Sequence, residues 1–141
     1  MADQMDEAVA TRLHSASIRL LRLLRREDEV AGMSGPRLSA LSVIVFAGPL
    51  SLAELAAAEQ VRAPTMSRIV DALVEAGMVT RTTVASDRRK IRIAATKAGE
   101  QLLKAGQQRR VRALAERLGR LAESERRALA RGVEILERVV K

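Results

Sequence analysis

Apolar residues recur at helical spacing over most of the chain, and one short stretch departs from that rhythm. Residues 5–30 read as one long helix, with Val9, Leu13, Leu20, Leu23 and Leu24 among its apolar positions. Gly32, Met33, Ser34, Gly35 and Pro36 break it. A second helix, roughly 37–47, carries "LSALSVIVFA", which is apolar on almost every side. That pattern predicts a central, buried element, and Gly48-Pro49 ends it.

"LSLAEL" opens a third helix. Ser51 and Glu54 have the spacing of a capping box, and Leu50 and Leu55 that of a hydrophobic staple. The helix is short, about 52–59, and Gln60, Val61 and Arg62 form the break after it. A fourth helix begins near Ala63-Pro64, where proline is tolerated in the first turn, and runs to Ala76 before stopping at Gly77. A short helix, a three-residue break and a longer helix predict a helix-turn-helix. At helical periodicity Met66, Ile69, Val70 and Leu73 share one face of the fourth helix. Pro64, Thr65, Arg68, Asp71, Ala72 and Glu75 share the other. Small, polar and basic groups thus lie at its N-terminal end and carboxylates towards its C-terminal end. That gradient suits a helix entering a major groove by its N-terminus, although an ordinary surface helix can carry it too.

The departure from helical rhythm is "VTRTTVASDRRKIRIAAT", residues 79–96. Thr80–Val84 is rich in β-branched residues and Ile91-Arg92-Ile93 alternates, which predicts a hairpin with its loop at Ala85–Lys90. Arg88, Arg89, Lys90 and Arg92 concentrate positive charge on or beside that loop. Asp87 can pair with a neighbouring arginine and fix its direction while another arginine projects freely. An arginine at a hairpin tip can enter a minor groove, where narrowing concentrates negative potential. A solvated turn is the alternative.

After Gly99 long helices return. Val111, Leu114, Ala115 and Leu118 make one stripe, and Leu129, Val133, Leu136 and Val140 another. Packing within the chain and a dimer interface both fit these stripes. Arg109, Arg110, Arg112, Arg117 and Arg120 read as the solvated face of a helix, with a second nucleic-acid surface as the alternative. His14 reads as a surface or interface histidine, and Met66 and Met78 as core.

Composition narrows the function classes. A chain of 141 residues fits a single domain, 1–141, with an aliphatic core, since Phe46 is its one aromatic residue. The absence of cysteine excludes disulfides, thiolate zinc sites and thiol-based sensing. A single histidine argues against transition-metal sites and histidine-based catalysis. No nucleophile–base pair, phosphate-binding glycine loop or metal cluster is visible, so neither an enzyme, a cofactor nor a metal is expected. The longest apolar run is too short for a membrane span, and no secretory signal is visible, so a soluble cytoplasmic protein without a membrane partner is expected.

The net charge of +8 is unevenly placed. Residues 1–61 hold six basic and eight acidic groups, residues 62–99 eight and three, and residues 100–141 eleven and six. The basic middle segment points to a polyanion, with nucleic acid as the leading candidate.

Asp87-Arg88-Arg89, then Ile91-Arg92-Ile93, then Thr96-Lys97-Ala98-Gly99 resembles the wing of the MarR family of bacterial transcription regulators. "APTMSRIVDALVEAGMVTR" is similar to that family's recognition helix, including Asp71, Leu73, Gly77 and Arg81. Ala95 departs from the pattern, standing where the family often has leucine. The resemblance spans essentially the whole chain. It implies a mainly α fold: a winged helix-turn-helix with a two-stranded wing hairpin at about 34–99, flanked by helical dimerisation regions at about 5–31 and 100–141. It further implies that Arg89 inserts into the minor groove and that Asp87 helps to position the loop. Thr65, Ser67 and Arg68 would sit near base edges and phosphates, and Arg62 and Arg88 would contact the backbone. Thr65 and Arg68 are then the specificity candidates.

The partners implied are double-stranded DNA and a second copy of the chain. A small-molecule effector belongs to the same expectation, but its identity is open and no residue can be assigned to it. Two functions stand against each other. One is a homodimeric, sequence-specific transcription regulator, a repressor of inverted-repeat operators. The other is a nonspecific architectural DNA- or RNA-binding protein, strongly salt-dependent and indifferent to sequence.

Overall fold

The computed structural model describes residues 2–29 and 32–141, with the side chains of Ala2, Glu29 and Arg88 left aside. Its elements follow in the order α1 (Ala2–Glu29), α2 (Gly35–Ala47), α3 (Leu52–Glu59), α4 (Ala63–Glu75), β1 (Val79–Val84), β2 (Asp87–Ala95), α5 (Lys97–Leu118) and α6 (Glu123–Val139). The architecture is mainly α with one antiparallel hairpin. Expected and observed elements agree in kind and order. Boundaries shift where the pattern was weakest: α2 starts at Gly35, earlier than the apolar run, because Pro36 is accommodated in its first turn.

The core lies where α2, α3, α4 and the base of the hairpin meet. Leu41 and Ile44 from α2, Leu55 from α3, Met66, Val70 and Leu73 from α4, and Val79 and Ile93 from the strands are almost completely removed from solvent. Three of the four residues expected on the inner face of α4 are buried, and Ile69 packs at the edge. The expectation that α2 is buried all round needs correction. Phe46, the one aromatic residue, is 82% exposed: Ala40, Leu41 and Ile44 are the fully buried positions of α2, Val43 and Val45 are half-buried against the core, and Phe46 lies off both. Met78 is half-buried against the core, and His14 is exposed.

Local chemistry explains the junctions. The Ser51 hydroxyl accepts the Glu54 amide at 3.1 Å, and the Glu54 carboxylate accepts the Ser51 amide, so the capping box forms as its spacing predicts. Leu50 and Leu55, the staple pair, are both buried. Leu50 also exchanges two backbone hydrogen bonds with Ile93, at 3.1 and 2.8 Å, which fastens the segment after α2 to the edge of β2. Thr96 caps α5: its hydroxyl accepts the Gly99 amide at 3.1 Å and donates to the Gly77 carbonyl at 2.6 Å. The Thr-x-x-Gly motif therefore ties the start of α5 to the end of α4.

The break between α3 and α4 turns at Gln60, which adopts the left-handed conformation (φ 56°, ψ 41°). A side chain there crowds the backbone, so Gln60→Gly is expected to stabilise the fold by about 0.5–1 kcal/mol. A urea unfolding midpoint measures this, and a lower midpoint would show that the glutamine side chain contributes more than its strain removes.

Candidate nucleic-acid interface

The candidate face is built by α4 and the hairpin. Helix α4 begins without a side-chain cap at Arg62, carries Pro64 in its first turn and has no acidic residue there. Its first amides are thus left to solvent or to an anion, with the positive end of the helix dipole behind them. Arg62, Pro64, Thr65 and Arg68 are exposed around this end. Ser67 is half-buried, so it offers less surface than its neighbours.

The carboxylates of α4 differ from one another in a way the sequence did not show. Asp71 forms an ion pair with Arg81 of β1, while Glu75 stands exposed at the end of the helix. Arg81 pairs in register with Ile93, so the two side chains share a face of the hairpin, and the exposed guanidinium reaches Asp71 of α4. The link joins β1 to α4 and offsets the one carboxylate near the middle of the outward face of α4. Two sequence-distant residues of opposite charge give no periodic signal, which is why periodicity missed the pair.

The hairpin is tighter than expected. Its turn is Ala85-Ser86 alone, and β2 already starts at Asp87, correcting the six-residue loop over Ala85–Lys90. Val84 pairs with Asp87 and Thr83 with Ile91, leaving residues 88–90 as an irregular bulge on β2. Asp87 produces that bulge: its carboxylate accepts the backbone amide of Arg89 at 3.0 Å. The contact described for Asp87 therefore fixes the backbone of the basic segment, whereas a pairing with an arginine side chain was expected. A bulge redirects side chains out of the strand plane, so Arg89 and Lys90 are presented on a kink in β2.

The four basic groups of the segment do not act alike. Arg89 and Lys90 are exposed and, among the described residues, form no ion pair. The Arg88 side chain lies outside the described residues. Arg92 turns back to the wing base, where its guanidinium lies 3.6 Å from the Glu54 carboxylate and 3.5 Å from the Pro49 carbonyl oxygen. Glu54 thus serves both the cap of α3 and the anchor of the wing. Glu54→Ala is expected to cost about 1 kcal/mol, through the cap more than through the exposed ion pair. Chemical denaturation reads the loss, and Glu54→Gln, which keeps a cap acceptor, should recover most of it.

Away from this face, an open cleft of about 770 Å³ lies between α1, α2, α3 and α5. Leu38, Val61 and Leu103 supply apolar wall, and Arg25, Ser39 and Glu59 polar wall. Ser39 donates to Glu59 at 2.7 Å across it. Arg110 also lines it and pairs with Asp28 at 2.5 Å, joining α5 to α1. This corrects the expectation of a uniformly solvated arginine face: Arg109 and Arg110 are half-buried. No aromatic residue lines the cleft. Among the described residues there is no cluster of metal-ligating side chains, and no helix is long and apolar enough to cross a membrane.

Comparison with known proteins agrees with this geometry. The model of the MarR family matches residues 31–90, which take in α2, α3, α4, β1 and the start of β2. An HTH-type transcriptional regulator of Mycobacterium tuberculosis is 34% identical over 131 residues, covering 93% of this chain and 92% of that protein. A relative from Mycobacterium leprae, also an HTH-type transcriptional regulator, is 31% identical over the same span. Among solved structures, a transcriptional regulator of Thermotoga maritima superposes with a TM-score of 0.83 at 22% identity, over 94% of both chains. MepR of S. aureus, solved bound to an oligodeoxyribonucleotide, superposes with a TM-score of 0.74 at 17% identity, over 94% of this chain and 97% of that one.

Proposed function

Since the chain belongs to the MarR family, we propose that it is a homodimeric, sequence-specific DNA-binding regulator that represses by occupying inverted-repeat operators. The observation that carries this is the joined pair of α4 and wing: an uncapped, acid-free helix start and a kinked basic strand, tied to one another through Asp71 and Arg81. On this proposal Thr65 and Arg68, with Ser67 at the margin, approach base edges in the major groove. Arg62 and Arg88 contact phosphates, and Arg89, on the backbone held by Asp87, enters the minor groove. The protein acts where its DNA is, in the cytoplasm.

Dimerisation is supported by uncovered apolar surface. Helix α6 buries no residue within the chain and exposes Leu129, Val133, Ile135 and Val139. Val9 and Leu13 of α1 and Val111 of α5 are also more than 40% exposed. Large apolar side chains left exposed on three helices support a second copy as their cover. A two-fold dimer would present two α4 helices to half-sites about one helical turn apart. The cleft between α1, α5 and the helix-turn-helix is where a small-molecule effector would couple dimer geometry to DNA affinity.

Selection from a random duplex pool at physiological salt, with RNA competitor present, tests the proposal. Enrichment of an inverted repeat supports it. Binding without enrichment would favour nonspecific architectural binding, and binding lost to RNA would transfer the partner from DNA to RNA.

A further inference from the structure

We propose that Arg81 is a positioning residue for DNA binding: it takes up the Asp71 carboxylate, which would otherwise turn against the duplex and draw Arg68 to itself. This rests on the DNA-binding function proposed above and gives Arg81 a part in that same site without a DNA contact of its own.

The charge of α4 poses the problem. Between Ala63 and Glu75 the helix carries one basic residue, Arg68, and two carboxylates, Asp71 and Glu75. All three are exposed, and at helical periodicity all three share the outward face. By itself that face would bring net negative charge to a polyanion. Repulsion between like charges grows as water is excluded, so the imbalance costs most in the complex. Glu75 ends the helix, furthest from the N-terminal residues Arg62 and Thr65. Asp71 lies one turn nearer to them, and its side chain keeps 62% of its exposure even with Arg81 against it. It is therefore the carboxylate that a duplex seated on the N-terminal half of α4 meets first.

The helix holds no correction of its own. Arg68 lies three residues before Asp71, a spacing at which the two side chains reach one another. An Arg68 engaged in that way would be lost to guanine, whose O6 and N7 an arginine contacts with both arms of its fork. In the structure Arg68 forms no ion pair among the described residues, and Asp71 is held by Arg81 instead. The cation comes from a strand that is itself anchored. Val79, two residues before Arg81, is buried, and so is Ile93, its partner in register on β2. Core packing thus sets where Arg81 stands, and through it the charge that α4 presents.

The two halves of the pair are then unequal. Without Arg81 a bare carboxylate faces DNA, whereas without the Asp71 charge a cation does. Equilibrium binding of the intact protein to its selected operator, at two salt concentrations, reads the difference. Arg81→Ala is expected to weaken binding about tenfold or more, as leaving a charge unpaired in an interface does. Asp71→Asn breaks the same pair but should cost far less, and Arg81→Lys should keep most of the affinity. Joining Asp71→Asn to Arg81→Ala should recover most of what Arg81→Ala lost. An exposed ion pair adds little to stability, so the thermal midpoints of all four variants should stay close to that of the wild type.

Equal losses for Arg81→Ala, Asp71→Asn and the double variant would mean that the pair only holds the wing to α4, and would overturn the inference. A loss that Asp71→Asn does not recover, with a salt slope lower by about one, would make Arg81 a phosphate contact and overturn it as well. Undiminished binding by Arg81→Ala would do the same. A wild-type chain that selects no operator would sink the proposed function itself, and this inference with it.

Discussion

Replacing Arg89 with alanine is expected to weaken operator binding about tenfold to a hundredfold, the range for losing one arginine inserted at a groove. The thermal midpoint and the oligomeric state should stay where they are. The reason is structural: the Arg89 side chain is exposed and forms no described ion pair, whereas its backbone amide, which the substitution keeps, is what Asp87 holds. Equilibrium binding to the selected operator measures the effect. If affinity falls equally on every sequence and the salt slope drops by about one, Arg89 contacts phosphate alone. If affinity does not fall, the wing assignment is wrong. Arg92→Ala gives a useful contrast, since Arg92 is engaged with Glu54 and Pro49 and its loss should appear in stability before it appears in DNA binding.

The largest expected effect on stability belongs to Gly99→Ala. A Cβ at Gly99 would overlap the backbone carbonyl oxygen of Met78 and crowd Leu41 Cδ1 at 3.2 Å. The carbonyl cannot retreat, because it accepts the Thr96 amide at 2.9 Å where the hairpin meets α5. Relief requires moving α5 off the core, and a loss of about 3 kcal/mol or more follows for an overlap of this kind. Gly77→Ala separates this cause from backbone strain. Gly77 has φ +77° but open space around it, so only the left-handed conformation is penalised, by about 1 kcal/mol. Urea unfolding of the two variants should show the larger loss at Gly99. Equal losses would mean that helix α5 yields more easily than its contacts suggest.

Much of this architecture is legible along the chain because it is local. Ser51 and Glu54, four positions from end to end, specify the start of α3, and the structure shows both hydrogen bonds of the box. The two faces of α4 follow from periodicity alone, since burial of Met66, Val70 and Leu73 depends on their angular positions. Thr96 and Gly99 mark the start of α5 in the same way. The loop of the wing was less legible: composition located it, but Asp87 shortened it through a hydrogen bond two residues ahead, which hydrophobic patterning does not register.

For the candidate interface, the sequence identified the exposed basic and polar residues but treated chemically equal arginines as equal. Arg92, Arg81 and Arg110 have partners contributed by α3, α4 and α1, and Arg89 is left exposed beside them. By itself the sequence determined what depends on neighbours a few residues apart: helix limits, caps, the helix-turn-helix and the hairpin. Only the tertiary structure decided which charges are consumed inside the molecule and which apolar faces, Phe46 and α6 above all, are left uncovered. Ion pairing and burial are set by distances in space between segments far apart in the chain, and no periodicity along one segment encodes them.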